Sequence, residues 1–108
     1  MQKQKFSDET LWRRFGIELY ILERLISDIH CDPDYCDVML TGEWDKMFRI
    51  QDMVNILRVQ AEERMDKKAK IYDRNIFYPW NPKLLINELN EIRNRCKDLA
   101  ENPDQNNI

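Results

Sequence analysis

Apolar residues return at alternating steps of three and four in three stretches of the chain. The first holds Trp12, Phe15, Leu19, Leu22, Ile26 and Ile29; the second Met47, Ile50, Val54, Leu57 and Ala61; the third Leu85, Leu89, Ile92, Cys96 and Leu99. An α-helix turns about every 3.6 residues, so this spacing gathers each set on one helical face, whereas a strand would alternate in steps of two. The punctuation between the stretches agrees. Ser7 stands before two acids and can cap the free amides of a helix whose Phe6 and Leu11 sit at staple spacing. Asp32-Pro33-Asp34 reads as a cap followed by proline at the first helical position, opening a short turn over 35–40. Thr41-Gly42-Glu43 opens a second long helix, and Asn81-Pro82 supplies a third with its cap and first residue. The pattern predicts helices over about 7–30, 42–72 and 82–100, followed by a polar, frayed tail over 101–108. Short connections make neighbours antiparallel. The expected fold is therefore all-α, a three-helix antiparallel bundle or a helical hairpin plus a third helix, in a single domain covering 1–108.

The first two helices carry more apolar side chains than one such bundle consumes. Leu11, Ile17, Ile21 and Leu25 widen the first stripe to more than half the circumference, and Phe48, Ile56 and Val59 lie off the second. A surface helix needs an apolar stripe of only about 100°. Either the first helix is the centre of a wrapped bundle, or part of the arc is a seam between molecules. On the second reading the protein is a homodimer, with Ile17, Ile21 and Leu25 as its self-association residues. The chain length adds weight, because 108 residues bury only about two-thirds of their unfolded surface, and association relieves that shortfall.

Composition narrows the partners. Seventeen Lys and Arg against twenty Asp and Glu give a net charge of −3, the reverse of the balance that binds a phosphate backbone, so a protein partner with a basic surface is favoured over nucleic acid. Three cysteines, an odd number, do not suit a disulfide framework. Met1-Gln2-Lys3-Gln4-Lys5 leads directly into the first cap without an apolar leader, and no apolar run approaches the roughly 20 residues of a membrane span. A cytoplasmic protein with no membrane contact is expected.

Ile76-Phe77-Tyr78-Pro79-Trp80 is the most unusual segment. Three aromatic rings around a proline offer large, rigid contact area at small entropic cost, so Phe77, Tyr78 and Trp80 are the candidate partner-binding anchors; the other reading is that they fold back and plug the bundle. Glu18 falls inside the apolar arc one turn after Arg14, and an ion pair between them would satisfy it. Arg58, Arg64, Lys67, Lys68, Lys70 and Arg74 concentrate charge late in the second helix. Arg64, Lys67, Lys68 and Lys70 are the candidate phosphate contacts of an alternative, nucleic-acid-associated function, although Glu62, Glu63, Asp66 and Asp73 are interleaved and cations suit a helix C-terminus without any ligand.

Catalytic and metal signatures are thin. His30, Cys31, Cys36 and Cys96 are enough for one tetrahedral zinc, but Cys-x4-Cys is not a tight knuckle and Cys96 lies on an apolar stripe, so no metal or cofactor is expected; His30 suits the negative end of the first helix. With a single histidine and no recognised nucleophile motif, an enzyme would have to work through carboxylates. Glu63-x-x-Asp66 and Glu88-x-x-Glu91 place acid pairs one turn apart on neighbouring helices, a geometry able to hold Mg²⁺ against a phosphate. In this they resemble the all-α nucleotide pyrophosphohydrolases, which carry an ExxE helix followed by an ExxD helix. The resemblance is confined to these motifs, occurs in reversed order, and implies Mg²⁺-dependent hydrolysis of nucleoside triphosphates as a further alternative. The leading expectation is a non-enzymatic, protein-binding protein: an adaptor, inhibitor or immunity-type antagonist acting by occlusion.

Overall fold

Asp8 caps the first helix, its Oδ1 accepting from the Leu11 amide at 3.2 Å. The helix that follows, α1, spans Glu9–His30. In this computed structural model residues 8–77 and 82–102 are described, apart from the side chains of Arg74 and Pro82. Ser7 and Asn81, expected as caps, and Phe6 of the staple lie outside the described residues. At its far end α1 hands over to Asp32, whose Oδ1 accepts from the Asp34 amide at 2.9 Å. Proline at the first position then opens a 3₁₀ turn over Pro33–Asp37, shorter than the 35–40 turn expected but nucleated by the same cap.

The second helix, α2, spans Thr41–Arg64. Glu43 reaches back one turn to accept from the Leu40 amide at 2.9 Å, satisfying one of the free donors at the helix start. The apolar spacing carried this helix to 72; the α-helix proper stops at Arg64, and the chain widens into a π-type turn over Met65–Ala69. Lys70 ends it in the left-handed region, φ 56° and ψ 36°, its amide donating to the Met65 carbonyl. The widened turn has a packing consequence: it drives Met65 fully inside and sets Ala69 and Ile71 against the core.

That core lies at one end of an antiparallel α1–α2 hairpin. Trp12 and Leu19 of α1 meet Ala61 and Met65 at the end of α2, and Ile76 and Phe77 close over them from the short 3₁₀ turn Arg74–Ile76. Phe77 stands edge-on to Trp12 and to Phe15, with centroids 6.3 and 6.2 Å apart, a geometry the ring quadrupoles favour. Gly16 makes this closure possible, because a Cβ there would lie 1.9 Å from the Ile76 carbonyl oxygen. At the opposite end of the hairpin the buried His30 ring sits 4.8 Å from Trp44 and 4.1 Å from Phe48. Between the two ends, Arg58 of α2 donates to Glu23 of α1 at 2.9 Å, both largely shielded from solvent.

The third helix, α3, spans Pro82–Glu101 and packs on α1. Leu89 is its one fully buried side chain among the described residues. Arg93 clamps it to the end of α1, donating to Asp32. All described elements are helical, as expected, and α1 is the helix against which both others rest.

Candidate interaction surface

The aromatic connector divides differently from expectation. Phe77 is 0% exposed and belongs to the core, so its assignment as a surface anchor is corrected: the ring plugs the open end of the hairpin. Tyr78 and Trp80 lie outside the described residues. Of the expected self-association residues, Ile17 is exposed, while Ile21 and Leu25 are half-buried. Leu25 faces α3 across a groove of about 710 Å³ that also holds Ile29, Asp32, Tyr35, Ile92, Arg93 and Cys96. Much of the wide apolar arc of α1 is thus spent inside one molecule, because two helices flank it. Glu18 does pair with Arg14, whose Nε donates at 2.8 Å. The pair stands in solvent, with 75% and 61% of the two side chains exposed, so it does not rescue a buried acid.

The exposed apolar surface lies mainly on α2. Its expected inward stripe is only half covered: Val54 and Ala61 are buried, Met47 is half-buried, and Ile50 and Leu57 are exposed together with Met53, 65% open. At about 100° per residue, Ile50, Met53 and Leu57 fall on the same flank of α2, displaced from Val54 away from the side of Arg58. On α1 the matching flank, again away from Glu23, carries Leu22, also exposed. Because the Glu23–Arg58 bridge marks one side of the hairpin, these four apolar side chains line the other. The surplus expected on α2 is present, with Phe48, Ile56 and Val59 exposed; what reasoning from the sequence missed is that Ile50 and Leu57, assigned to the inward stripe, are exposed as well.

The flank has an acidic and a basic end. Around the α1–α2 connection Asp34, Asp37, Glu43 and Asp45 are exposed, with Lys46 as the nearby cation. Asp28 lies 3.8 Å from Arg24, and Asp32 is held by Arg93. The amide of Asp34 and the Arg93 guanidinium keep the Asp32 carboxyl below its usual range, and Asp32 in turn pushes Arg93 up. Beside these acids an apolar groove of about 410 Å³ is lined by Ile29, Tyr35, Val38, Met39 and Met47, flanked by Glu43 and Lys46. Val38 of this lining and Leu40, nearby in the chain, are 72% and 71% exposed. At the far end of α2 the expected phosphate contacts Arg64, Lys67, Lys68 and Lys70 are all exposed; of the acids among them Glu63 is exposed too, while Glu62, Asp66 and Asp73 are half-buried. Arg58, grouped with them by sequence, points inward to Glu23.

The structure does not bring the candidate chemistry together. Among the described residues no group of three or more His, Cys, Asp or Glu is placed to hold a metal ion. No three of Glu63, Asp66, Glu88 and Glu91, nor of His30, Cys31, Cys36 and Cys96, form such a group. All three cysteines are free and exposed. Among the described residues no helix is long and apolar enough to cross a membrane. No protein-family model, curated protein or solved structure matches the chain.

Proposed function

We propose that this chain is a protein-binding protein without chemistry of its own, an adaptor, inhibitor or immunity-type antagonist that acts by covering a partner's surface. We further propose that it self-associates and works in the reducing cytoplasm. The observation that supports binding most directly is the exposure of Leu22, Ile50, Met53 and Leu57, which helical spacing assigns to one flank of the α1–α2 hairpin. Isolated surface leucines are ordinary, but contiguous apolar flanks rimmed by charge are the usual mark of a contact surface. The exposed acids at the connection end would steer a partner with a basic surface, and the apolar row would hold it. Three free thiols in solvent suit a reducing compartment.

The test is comparative recovery from the native cell. A tagged chain is isolated alongside an Ile50→Glu/Leu57→Glu variant whose melting matches the parent, and the co-eluting proteins are identified. Partners captured by the parent and lost by the variant are expected. Equal recovery by both would remove this face from the function.

One observation favours a second reading. Arg64, Lys67, Lys68 and Lys70 share one exposed end of the molecule, which suits phosphate contacts of a nucleic-acid-associated regulator. It requires retention of DNA or RNA that weakens steeply with salt and disappears in Lys67→Ala/Lys68→Ala. Salt-insensitive or absent retention removes it.

A further inference from the structure

We infer that the exposed flank of the hairpin is covered by a second copy of this chain, docked antiparallel, so that two α1–α2 hairpins form a four-helix core with the acidic end of each against the basic end of the other. This rests on the reading that the flank is an association surface, and it names the occupant.

The pattern along α2 carries the geometry. A two-fold axis crossing the helix between Met53 and Val54 sets Ile50 opposite Leu57 of the second copy, places Met53 beside its own equivalent, and brings Glu43 opposite Arg64. Symmetry repeats each relation, as an isologous contact requires. Glu43 and Arg64 are both exposed and stand twenty-one residues apart, about 32 Å along the helix. They therefore bracket the apolar row at its two ends, while Leu22 of α1 widens the row into a face two helices across.

Charge then selects the direction. The connection end exposes Asp34, Asp37, Glu43 and Asp45 against Lys46 and Arg49; the other end exposes Arg64, Lys67, Lys68 and Lys70 against Glu63, so the two ends differ in the sign of their excess charge. Antiparallel docking sets each cluster on its opposite, whereas parallel docking would stack acids on acids and cations on cations. Like charges brought together across an interface cost several-fold in affinity at the least, so the polarity of the hairpin excludes the parallel arrangement. The size fits as well. The row between Glu43 and Arg64 is about 32 Å long, a length compatible with the roughly 800 Å² per partner of a standard interface. The exposed apolar row accounts for the centre of such an interface and the two charge clusters for its rim.

The test uses the full chain with Cys31, Cys36 and Cys96 replaced by serine. Sedimentation at about 100 µM should show a dimer that Leu57→Glu converts to monomer without lowering helicity, and whose affinity falls with added salt. Arg64→Glu should weaken the dimer roughly tenfold, since two symmetry-related pairs are reversed at once, and Glu43→Lys/Arg64→Glu should restore it to within about threefold. Glu43→Cys mixed with Arg64→Cys should be joined by a short bismaleimide, while neither alone gives cross-linked dimer. A chain that sediments as a monomer, cross-links formed by Glu43→Cys alone, or a charge swap that fails to restore the dimer would overturn the proposal. Failure here is separable from failure of the binding reading. A monomer that still loses its cellular partners on Leu57→Glu overturns the dimer and keeps the binding surface. A dimer whose cellular partners survive that substitution supports the dimer and overturns the wider reading.

Discussion

Replacing Gly16 with alanine should destabilise the protein, against the ordinary preference of helices. In the middle of α1 alanine is better than glycine by up to about 1 kcal/mol, because glycine gives up more backbone freedom on folding. The connector reverses that sign. The added Cβ would stand 1.9 Å from the Ile76 carbonyl oxygen, 2.7 Å from its carbon and 3.2 Å from Ile76 Cγ2. An ordinary carbon–oxygen contact needs about 3.3 Å or more, so the Ile76–Phe77 backbone must retreat by about 1.4 Å. What stands in the way is main chain, which cannot swing aside like a lysine tip. The retreat lifts Phe77, the largest fully buried side chain among the described residues, from Trp12 and Phe15. Deleting such a ring outright costs about 3–5 kcal/mol. A partial withdrawal that forfeits most of this, less the helical gain, leaves a net loss of about 2 kcal/mol, enough to lower the melting temperature by roughly 10 °C. Urea titration followed by far-ultraviolet circular dichroism and by tryptophan emission measures it, with Gly42→Ala as the control. Nothing lies within 4 Å of a Cβ at Gly42, so that variant should be unchanged or slightly more stable. If Gly16→Ala equals or exceeds the parent in stability, the connector does not lie on α1 and the description of the core fails.

Three further outcomes follow from the packing. Phe77→Ala should cost about 3–5 kcal/mol in the same titration, and a variant that folds as well as the parent would return this ring to the surface. Glu23→Ala should destabilise by about 1–3 kcal/mol, because Arg58, 7% exposed in its side chain, keeps its charge after losing that carboxylate; a neutral result would show the bridge to be open to water. Asp32 has its carboxyl held below the usual range by the Asp34 amide and Arg93, so its contribution is complete above the unfolded carboxylate pKa of about 4 and is lost as pH falls through the lower folded value. Asp32→Asn should accordingly be less stable than the parent at neutral pH, with the gap closing in acid; a gap that widens in acid would contradict the assignment.

The helices were legible because their periodicity is local: Trp12, Leu19, Val54, Ala61 and Leu89 are buried at the positions that three- and four-residue spacing assigns them. What escaped depends on which helices meet. The spacing placed Ile50 and Leu57 inward with Val54, and they would be inward if α3 lay in the groove beside them; α3 rests on α1 instead, and the stripe opens to solvent along one edge. Ile21 and Leu25 moved the opposite way for the same reason. Arg58 looked like one more cation near a helix end, because pairing with Glu23, thirty-five positions distant, leaves no local trace. Gly16 did leave a trace. It is one of two glycines in the chain, set in a helix interior where glycine is unfavourable, and such a residue signals close backbone approach. The end of α2 was overrun because Ala69 and Ile71 continue an apolar pattern, while the widening at Met65 has no composition of its own.

The way α3 is held has a consequence for how the molecule comes apart. Among the described residues its one fully buried side chain is Leu89, and its ion pair to the rest of the fold is Arg93 with Asp32. The hairpin, by contrast, is closed at both ends by aromatic rings. Amide protons of α3 should therefore exchange through an opening that leaves α1 and α2 folded, well below the free energy of global unfolding. Proteolysis under native conditions would begin there, trimming the chain toward its hairpin. Loss of that flap would uncover Leu25 and Ile29, giving the trimmed species a second apolar side and a stronger tendency to aggregate than the whole protein has.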